Sequence, residues 1–342
     1  MILSARPRLL RVLDREPVDR PPIWFMRQAG RSLPEYHRLR ERAGDFVAFC
    51  HDPLMAAEAT LQPMRRFAFD AAIVFADILL LPRALGQDVW FEAGEGPRLG
   101  PLPDLAVLAD QVEASIGRLT SVGETLSLVR AALEPDRALI GFAGGPWTVA
   151  TYMIEGRGGD RLAARSMAFA EPEKIDALID ILVDSTARYL AMQARAGAQV
   201  LQLFESWAEL LPEDVFERLV TQPHARIVAA LRAEGLATPV IGFPRGAGAL
   251  VENYARAASV QGVGLDVQAP AALGRRLQER LAIQGALDPL LLRQGGAALD
   301  ARVEQLIEQW GKGPYIFNLG HGVLQDTPVA HISQVVERVT CR

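Results

Sequence analysis

Short, largely apolar stretches recur along this chain, and each gives way to glycine, proline or polar residues and then to a segment with helical period. Eight such runs stand out, at residues 23–26, 71–76, 138–142, 199–204, 239–243, 263–265, 281–284 and 315–318. Runs such as 138–142 do not alternate, which is the pattern of a strand covered on both faces of a parallel sheet. The intervening segments read as helices. The one at 53–67 opens with Asp52-Pro53, a capping residue followed by proline in the first turn, and another runs from about 173 to 195.

Eight alternating units predict an α/β chain folded as a closed (β/α)8 TIM barrel. A doubly wound sheet is the rival, but it calls for a Gly-x-Gly-x-x-Gly turn after the first strand, and this chain has Arg27-Gln28-Ala29-Gly30-Arg31 there. The gap between the second and third runs is about twice the usual βα unit and holds Gly94-Glu95-Gly96-Pro97 and Pro101-Leu102-Pro103, so it is read as an excursion. No repeat, low-complexity tract or flexible linker interrupts the sequence, and residues 1–342 are expected to form a single domain.

Composition narrows the function classes. With 50% hydrophobic and 23% charged residues the chain can bury a large core. Cys50 and Cys341 are too few and too far apart for a disulfide framework or a four-cysteine metal knuckle, and a reducing, cytoplasmic setting is expected. Residues 1–8 contain Arg6 and Arg8 and no apolar stretch long enough for a signal peptide. The uncharged run 138–154 approaches a membrane span in length but is broken by Gly144-Gly145-Pro146, so no membrane association is expected. Residues 1–66 carry 12 arginines against 8 acids, whereas the whole chain has a net charge of −5 and a pI near 5.7. A polyanionic small molecule suits that local excess better than nucleic acid, which would need a broader basic face.

In barrels of this kind the chemistry stands at the C-terminal ends of the strands. Reading the residues just beyond each run gives Arg27 and Arg31, Asp77, Gly144-Gly145-Pro146 leading to Tyr152, Glu205-Ser206, Arg245-Gly246, Asp266, Asp288 and Gly320-His321-Gly322. Arg27 and Arg31 offer two permanently charged, bidentate donors suited to carboxylates, or else pair structurally with acids such as Glu35. Asp77 is flanked on both sides by hydrocarbon and is either a helix cap or an acceptor in an apolar cleft. Tyr152 reads by default as a packed residue with a satisfied hydroxyl, and Ser206 as a cap, since the nucleophile elbow of serine hydrolases is absent around it. His321 lies between two glycines that let backbone approach a ligand. A zinc site is not expected, because Cys50, His51, His37, His224 and His331 lack convergent spacing.

At these loops the chain resembles the uroporphyrinogen decarboxylase family. The resemblance rests on Met26-Arg27-Gln28-Ala29-Gly30-Arg31 with Leu33-Pro34-Glu35-Tyr36, on Thr60-Leu61-Gln62-Pro63, and on Phe75-Ala76-Asp77-Ile78-Leu79. It continues through residues 141–148, 151–156 and 203–206 to Asn318-Leu319-Gly320-His321-Gly322, nearly end to end. It implies that Arg27, Arg31, Asp77, Tyr152 and His321 serve catalysis, and that these residues with Gln28 and Ser206 bind uroporphyrinogen. No metal or organic cofactor is implied, and the partner implied is a second copy in a homodimer. Four positions depart from the family's frequent pattern: Glu209 in place of glycine after Trp207-Ala208, Arg245 in a loop that often bears lysine, Val267 where tryptophan is common, and Ala286 where asparagine is common.

The implied substrate is a ring of four pyrroles with acetate and propionate arms, and its acetates become methyl groups in porphyrin synthesis. Most decarboxylases recruit a cofactor as electron sink, but here a pyrrole protonated on carbon can take the electron pair released with CO2. The protein must then stabilise positive charge, the expected task of Asp77, while Arg27, Arg31 and Arg245 hold carboxylates and His321, with a near-neutral pKa, binds a propionate or relays a proton. The competing readings are a zinc-dependent corrinoid or thiol methyltransferase on a related barrel and a tetrapyrrole-binding protein without activity.

Overall fold

A computed structural model describes residues 6–30, 32–92 and 95–341. Its strands are β1 (Ala71–Ile73), β2 (Val89–Glu92), β3 (Gly96–Leu99), β4 (Ala138–Gly144), β5 (Val200–Glu205), β6 (Val240–Pro244), β7 (Gly262–Gly264), β8 (Ala282–Leu287) and β9 (Tyr315–Leu319). β1 and β4 to β9 form one parallel sheet in the order β1-β4-β5-β6-β7-β8-β9. Every residue of β4, β6, β8 and β9 is buried, in keeping with their largely apolar composition.

The eighth position of the ring is taken by residues 22–26. Ile23 bridges Phe317 of β9 in parallel register, the Phe317 N–H donates to the Pro22 carbonyl (2.8 Å), and the Asp70 N–H donates to the Ile23 carbonyl (2.9 Å). The curled sheet is thereby closed into the expected (β/α)8 barrel. A buried acid explains why the seam holds. Asp70 is 2% exposed and accepts from Arg8 (2.8 Å), Arg20 (2.7 Å) and the Ile23 N–H (2.8 Å), so its charge is fully partnered. Inside the barrel, the Trp24 indole donates to Gln284 Oε1 (3.0 Å) and Gln284 Nε2 donates to Gln202 Oε1 (3.2 Å), tying the closing segment to β8 and β5.

The helices lie outside the ring. Pro53–Arg66 begins where Asp52 Oδ1 accepts from the Leu54 and Met55 N–H groups, both at 3.0 Å. Thr60, buried on that helix, accepts from the Phe75 N–H (2.9 Å) and fixes the helix against the chain leaving β1. On Pro172–Arg195, Gln193 bonds both the N–H and the carbonyl of Phe142 at 2.8 Å, completing β4 with a side-chain amide. The long excursion consists of the antiparallel β2–β3 hairpin and the helices Leu105–Gly117 and Thr120–Ala132. Among the described residues, no helix is long and apolar enough to cross a membrane.

The N-terminal arginine excess is largely consumed by structure. Arg6, Arg8, Arg11, Arg20, Arg65 and Arg66 all pair with acids, and Glu35 is held by Arg66 at 2.8 Å, so it is not available to Arg27.

Candidate active site

The turn after the closing segment carries Arg27, whose φ of +62° is a conformation that a branched backbone environment seldom allows. Gln28 stabilises that turn. Its Oε1 accepts from the Phe25 N–H and its Nε2 donates to the Ala71 carbonyl, both at 3.0 Å, and it is 2% exposed. Its amide thus lies in the barrel wall and supports the turn from behind. Arg31 lies outside the described residues.

Asp77 follows β1 and sits in a hydrocarbon-lined recess that water still reaches. Its Oδ1 accepts from the Leu79 N–H (2.8 Å), the bond of a helix cap, and its Oδ2 has no partner among the described residues. Burial raises its pKa, while the Leu79 N–H and then the positive charge of Arg27 act to lower it. Tyr152 projects from the helix Pro146–Glu155 beyond β4. Burial, then the charge of Asp77, pushes its hydroxyl up to about 12, against opposing effects of Arg27 and Arg161. His321, after β9, is lowered to about 4 by burial and by the charges of Arg27 and Arg245. Burial and the neighbouring arginines therefore favour the uncharged ring, in place of the near-neutral imidazole expected from the sequence.

These mutual influences place Arg27, Asp77, Tyr152, Arg245 and His321 around one cleft. Within it, the Arg27 guanidinium, the Tyr152 hydroxyl, the Ser206 hydroxyl and the His321 ring make no hydrogen bond to any described residue. Other strand-end groups are already engaged. Asp266 accepts from the Gly246 N–H (2.9 Å) and the Gln268 N–H (3.0 Å), Asp288 caps Pro289–Gln294, and Arg245 donates to the Ser206 carbonyl (3.2 Å). Open hollows of about 500 Å³, lined by Arg275, Glu308 and Trp310 among others, and of about 470 Å³, beside Glu213 and Asn253, lack such a constellation.

A second set of residues, of which the sequence singles out only Glu205 and His224 and gives neither this role, holds the wall of the cleft. Glu205 ends β5 fully buried beneath the N-terminus of Pro146–Glu155. It accepts from the Thr148 N–H and hydroxyl, from the Trp147 N–H (3.3 Å) and from His224 Nε2 (3.2 Å), and His224 Nδ1 lies 2.7 Å from the Tyr254 hydroxyl. A carboxylate at a helix N-terminus is favourable in itself. Two glycines make room: a Cβ on Gly145 would collide with Glu205 Oε2, and one on Gly242 with the Tyr254 hydroxyl. The acid just beyond the run 199–204 was the available signal, but its partners are dispersed along the chain.

Beyond this relay, the Trp207 N–H donates to Thr148 Oγ1 (3.2 Å) and its carbonyl accepts from the Trp147 indole (2.9 Å). The Trp207 ring stacks on Tyr152 with centroids 4.0 Å apart. Among the described residues there is no group of three or more His, Cys, Asp or Glu side chains placed to hold a metal ion. The zinc-dependent methyltransferase reading requires such a donor set.

The profile of a family described as uroporphyrinogen decarboxylase (URO-D) matches residues 4–341. A relative in Phenylobacterium zucineum named uroporphyrinogen decarboxylase is 71% identical over 335 residues, covering 98% of this chain and 97% of the relative. One in Caulobacter vibrioides with the same name is 62% identical over 339 residues, covering 99% and 97%. In structure, a methyltransferase from Methanosarcina mazei shares the fold with a TM-score of 0.76 at 18% identity, over 97% of this chain and 96% of that one.

Proposed function

Since the chain belongs to the uroporphyrinogen decarboxylase family, we propose that it is a carboxy-lyase that converts the four acetate arms of uroporphyrinogen III to methyl groups, releasing four CO2 and coproporphyrinogen III for porphyrin synthesis. The observation that carries this reading is the set of unengaged polar groups at the barrel mouth, with one carboxylate in hydrocarbon and the Arg27 cation beside it.

In each cycle a pyrrole is protonated on the α-carbon adjacent to the ring carbon bearing the acetate, so that the acetate-bearing carbon is conjugated with the resulting iminium. The bond to the carboxylate breaks, CO2 leaves, and its electron pair neutralises the iminium-like ring to give an exocyclic methylene. Protonation of that methylene and loss of the added ring proton restore the pyrrole with a methyl group. The ring itself is the electron sink, so this reading needs no organic cofactor.

Asp77 is assigned to the pyrrole N–H groups through its open Oδ2. The empty recess raises its pKa, but several N–H donors and the developing cation favour the ionised form, so the interaction strengthens as the reaction proceeds. Unit charges about 4 Å apart at an effective dielectric near 20 interact by roughly 4 kcal/mol, an upper bound of about a thousandfold in rate. Arg27, with Arg31, grips substrate carboxylates. Tyr152 keeps its proton and donates to a carboxylate, as does Ser206, and the uncharged His321 binds a propionate as a neutral hydrogen-bond partner.

The family resemblance also underlies the proposals that the chain acts as a single domain, forms a homodimer and works in the cytoplasm; sedimentation of the purified protein tests the second. The central experiment is anaerobic incubation of purified protein with uroporphyrinogen, with no metal or cofactor added, and chromatography of the products. Stepwise loss of four carboxyls is expected. Tight binding without CO2 release would instead identify a tetrapyrrole carrier, and stoichiometric bound zinc would favour the methyltransferase.

A further inference from the structure

Residues 156–161 cross the rim of the cleft as a strap fastened at both ends. At the first, the Leu99 N–H donates to the Gly156 carbonyl (2.8 Å), and Arg157 bridges Arg98 of β3. In the middle, Gly158 lies on the aromatic stack: a Cβ there would stand 3.9 Å from Trp207 Cζ2 and 4.0 Å from Tyr152 Cε1. At the far end Arg161, with φ +62°, forms an ion pair with Glu209 (Nη1 to Oε1, 2.7 Å) and sets its guanidinium 5.5 Å from the centroid of the Trp207 ring.

The second anchor differs from an ordinary surface pair. Only 17% of the Arg161 side chain and 25% of the Glu209 side chain remain exposed, so the attraction is less screened than between solvated groups. Arg161 meets Trp207 and Glu209 together, and a guanidinium joined to both a ring and a carboxylate has little freedom left. Glu209 is in turn wedged against the next loop, where a Cβ on Gly246 would lie 2.6 Å from its own Cβ. The carboxylate therefore links the strap to the loops after β5 and β6. Glu209 stands where the family often has glycine, which can make no such link.

We propose that Glu209 is a positioning residue: through Arg161 it latches the strap of residues 156–161 over the Tyr152–Trp207 stack and fixes the tyrosine hydroxyl for the substrate's carboxylate. The catalytic consequence rests on the decarboxylase reading, whereas the latch itself does not. Breaking the pair frees one end of the strap and loosens Tyr152 without removing any group that touches substrate, so KM rises more than kcat falls.

Trypsin cuts after arginine, so Arg157 and Arg161 report strap opening directly. Glu209→Gly and Arg161→Ala would be compared with wild type by timed trypsin digestion with mass spectrometry of the 157 and 161 cleavages; the first retains both sites and the second retains the 157 site. Cleavage after Arg157 is expected to accelerate about tenfold in both variants, with KM for uroporphyrinogen raised several-fold and Tm within a few degrees of wild type. The exchanged pair Arg161→Glu with Glu209→Arg is expected to recover slow cleavage after Arg157 and low KM. Wild-type digestion rates and KM in Glu209→Gly would overturn the latch. If wild type released no CO2, the decarboxylase reading would fail while the digestion still judged the strap.

Discussion

Arg27 lies directly across Gly322: a Cβ on that glycine would collide with Arg27 Cδ and stand 2.7 Å from its Cγ. The glycine beside His321 thus gives the arginine its path to the cleft. Gly322→Ala meets only a flexible side chain, so the barrel should fold with a wild-type Tm. The displaced guanidinium should cost about ten- to a hundredfold in KM, the range of a lost charge-assisted hydrogen bond. Arg27→Ala should show the same defect, and Arg31→Ala likewise mainly weakens binding. Steady-state kinetics that leave KM unchanged in Gly322→Ala would separate Arg27 from substrate.

Asp77→Asn keeps the acceptor for the Leu79 N–H but removes the charge. Turnover should fall by roughly a hundred- to a thousandfold. Stability should move the other way. Because the folded carboxyl has a raised pKa, its stabilising effect is present in acid and lost as pH rises through that value, so ionising it carries the cost of a charge in hydrocarbon. The variant is therefore expected to melt higher than wild type at pH 8, with the gap closing in acid. A lower Tm at pH 8 would contradict this account of the recess.

His321 should remain uncharged from pH 8 down to about pH 5, since its folded pKa is lowered to about 4. The unfolded chain binds that proton more readily, near its ordinary pKa of about 6.5, so the contribution to stability is complete above that pH and is lost as pH falls through 4. Imidazole resonances followed by NMR in the unliganded protein provide the test. A ring titrating near 6.5 would return His321 to the proton-relay role.

Glu205→Gln should destabilise the fold by on the order of 3 kcal/mol, because an amide cannot accept from Thr148, Trp147 and His224 together. Denaturant unfolding measures this loss. A cost below about 0.5 kcal/mol, the scale of an ordinary surface change, would mean that the carboxylate does not organise the helix carrying Tyr152.

Much of the barrel was legible because backbone periodicity and capping are local. All eight apolar runs occupy positions in the ring, and the Asp52-Pro53 start yields the helix Pro53–Arg66. Asp77 and His321 follow strands, and Tyr152 lies on the helix after β4, as the sequence order indicates. What sequence hid was which polar groups are already engaged. Nothing local distinguishes Arg66, which holds Glu35, from Arg27, which pairs with no acid among the described residues, and nothing announces that the Gln28 amide serves two backbone groups. The Glu205 relay joins positions 148, 205, 224 and 254, and the Arg161–Glu209 latch joins two separate loops. Such pairings are set by packing at long sequence separation and leave no periodic trace.

The seam between Ile23 and Phe317 has a consequence for synthesis. The turn bearing Arg27 is made before β1, yet its neighbour β9 is made after every other strand of the ring. The corner that carries Arg27 must therefore wait until every strand of the ring has left the ribosome. A product stopped short of β9 has the early arginine but no partner strand to present it, so premature termination there yields an inert fragment instead of a weakened enzyme.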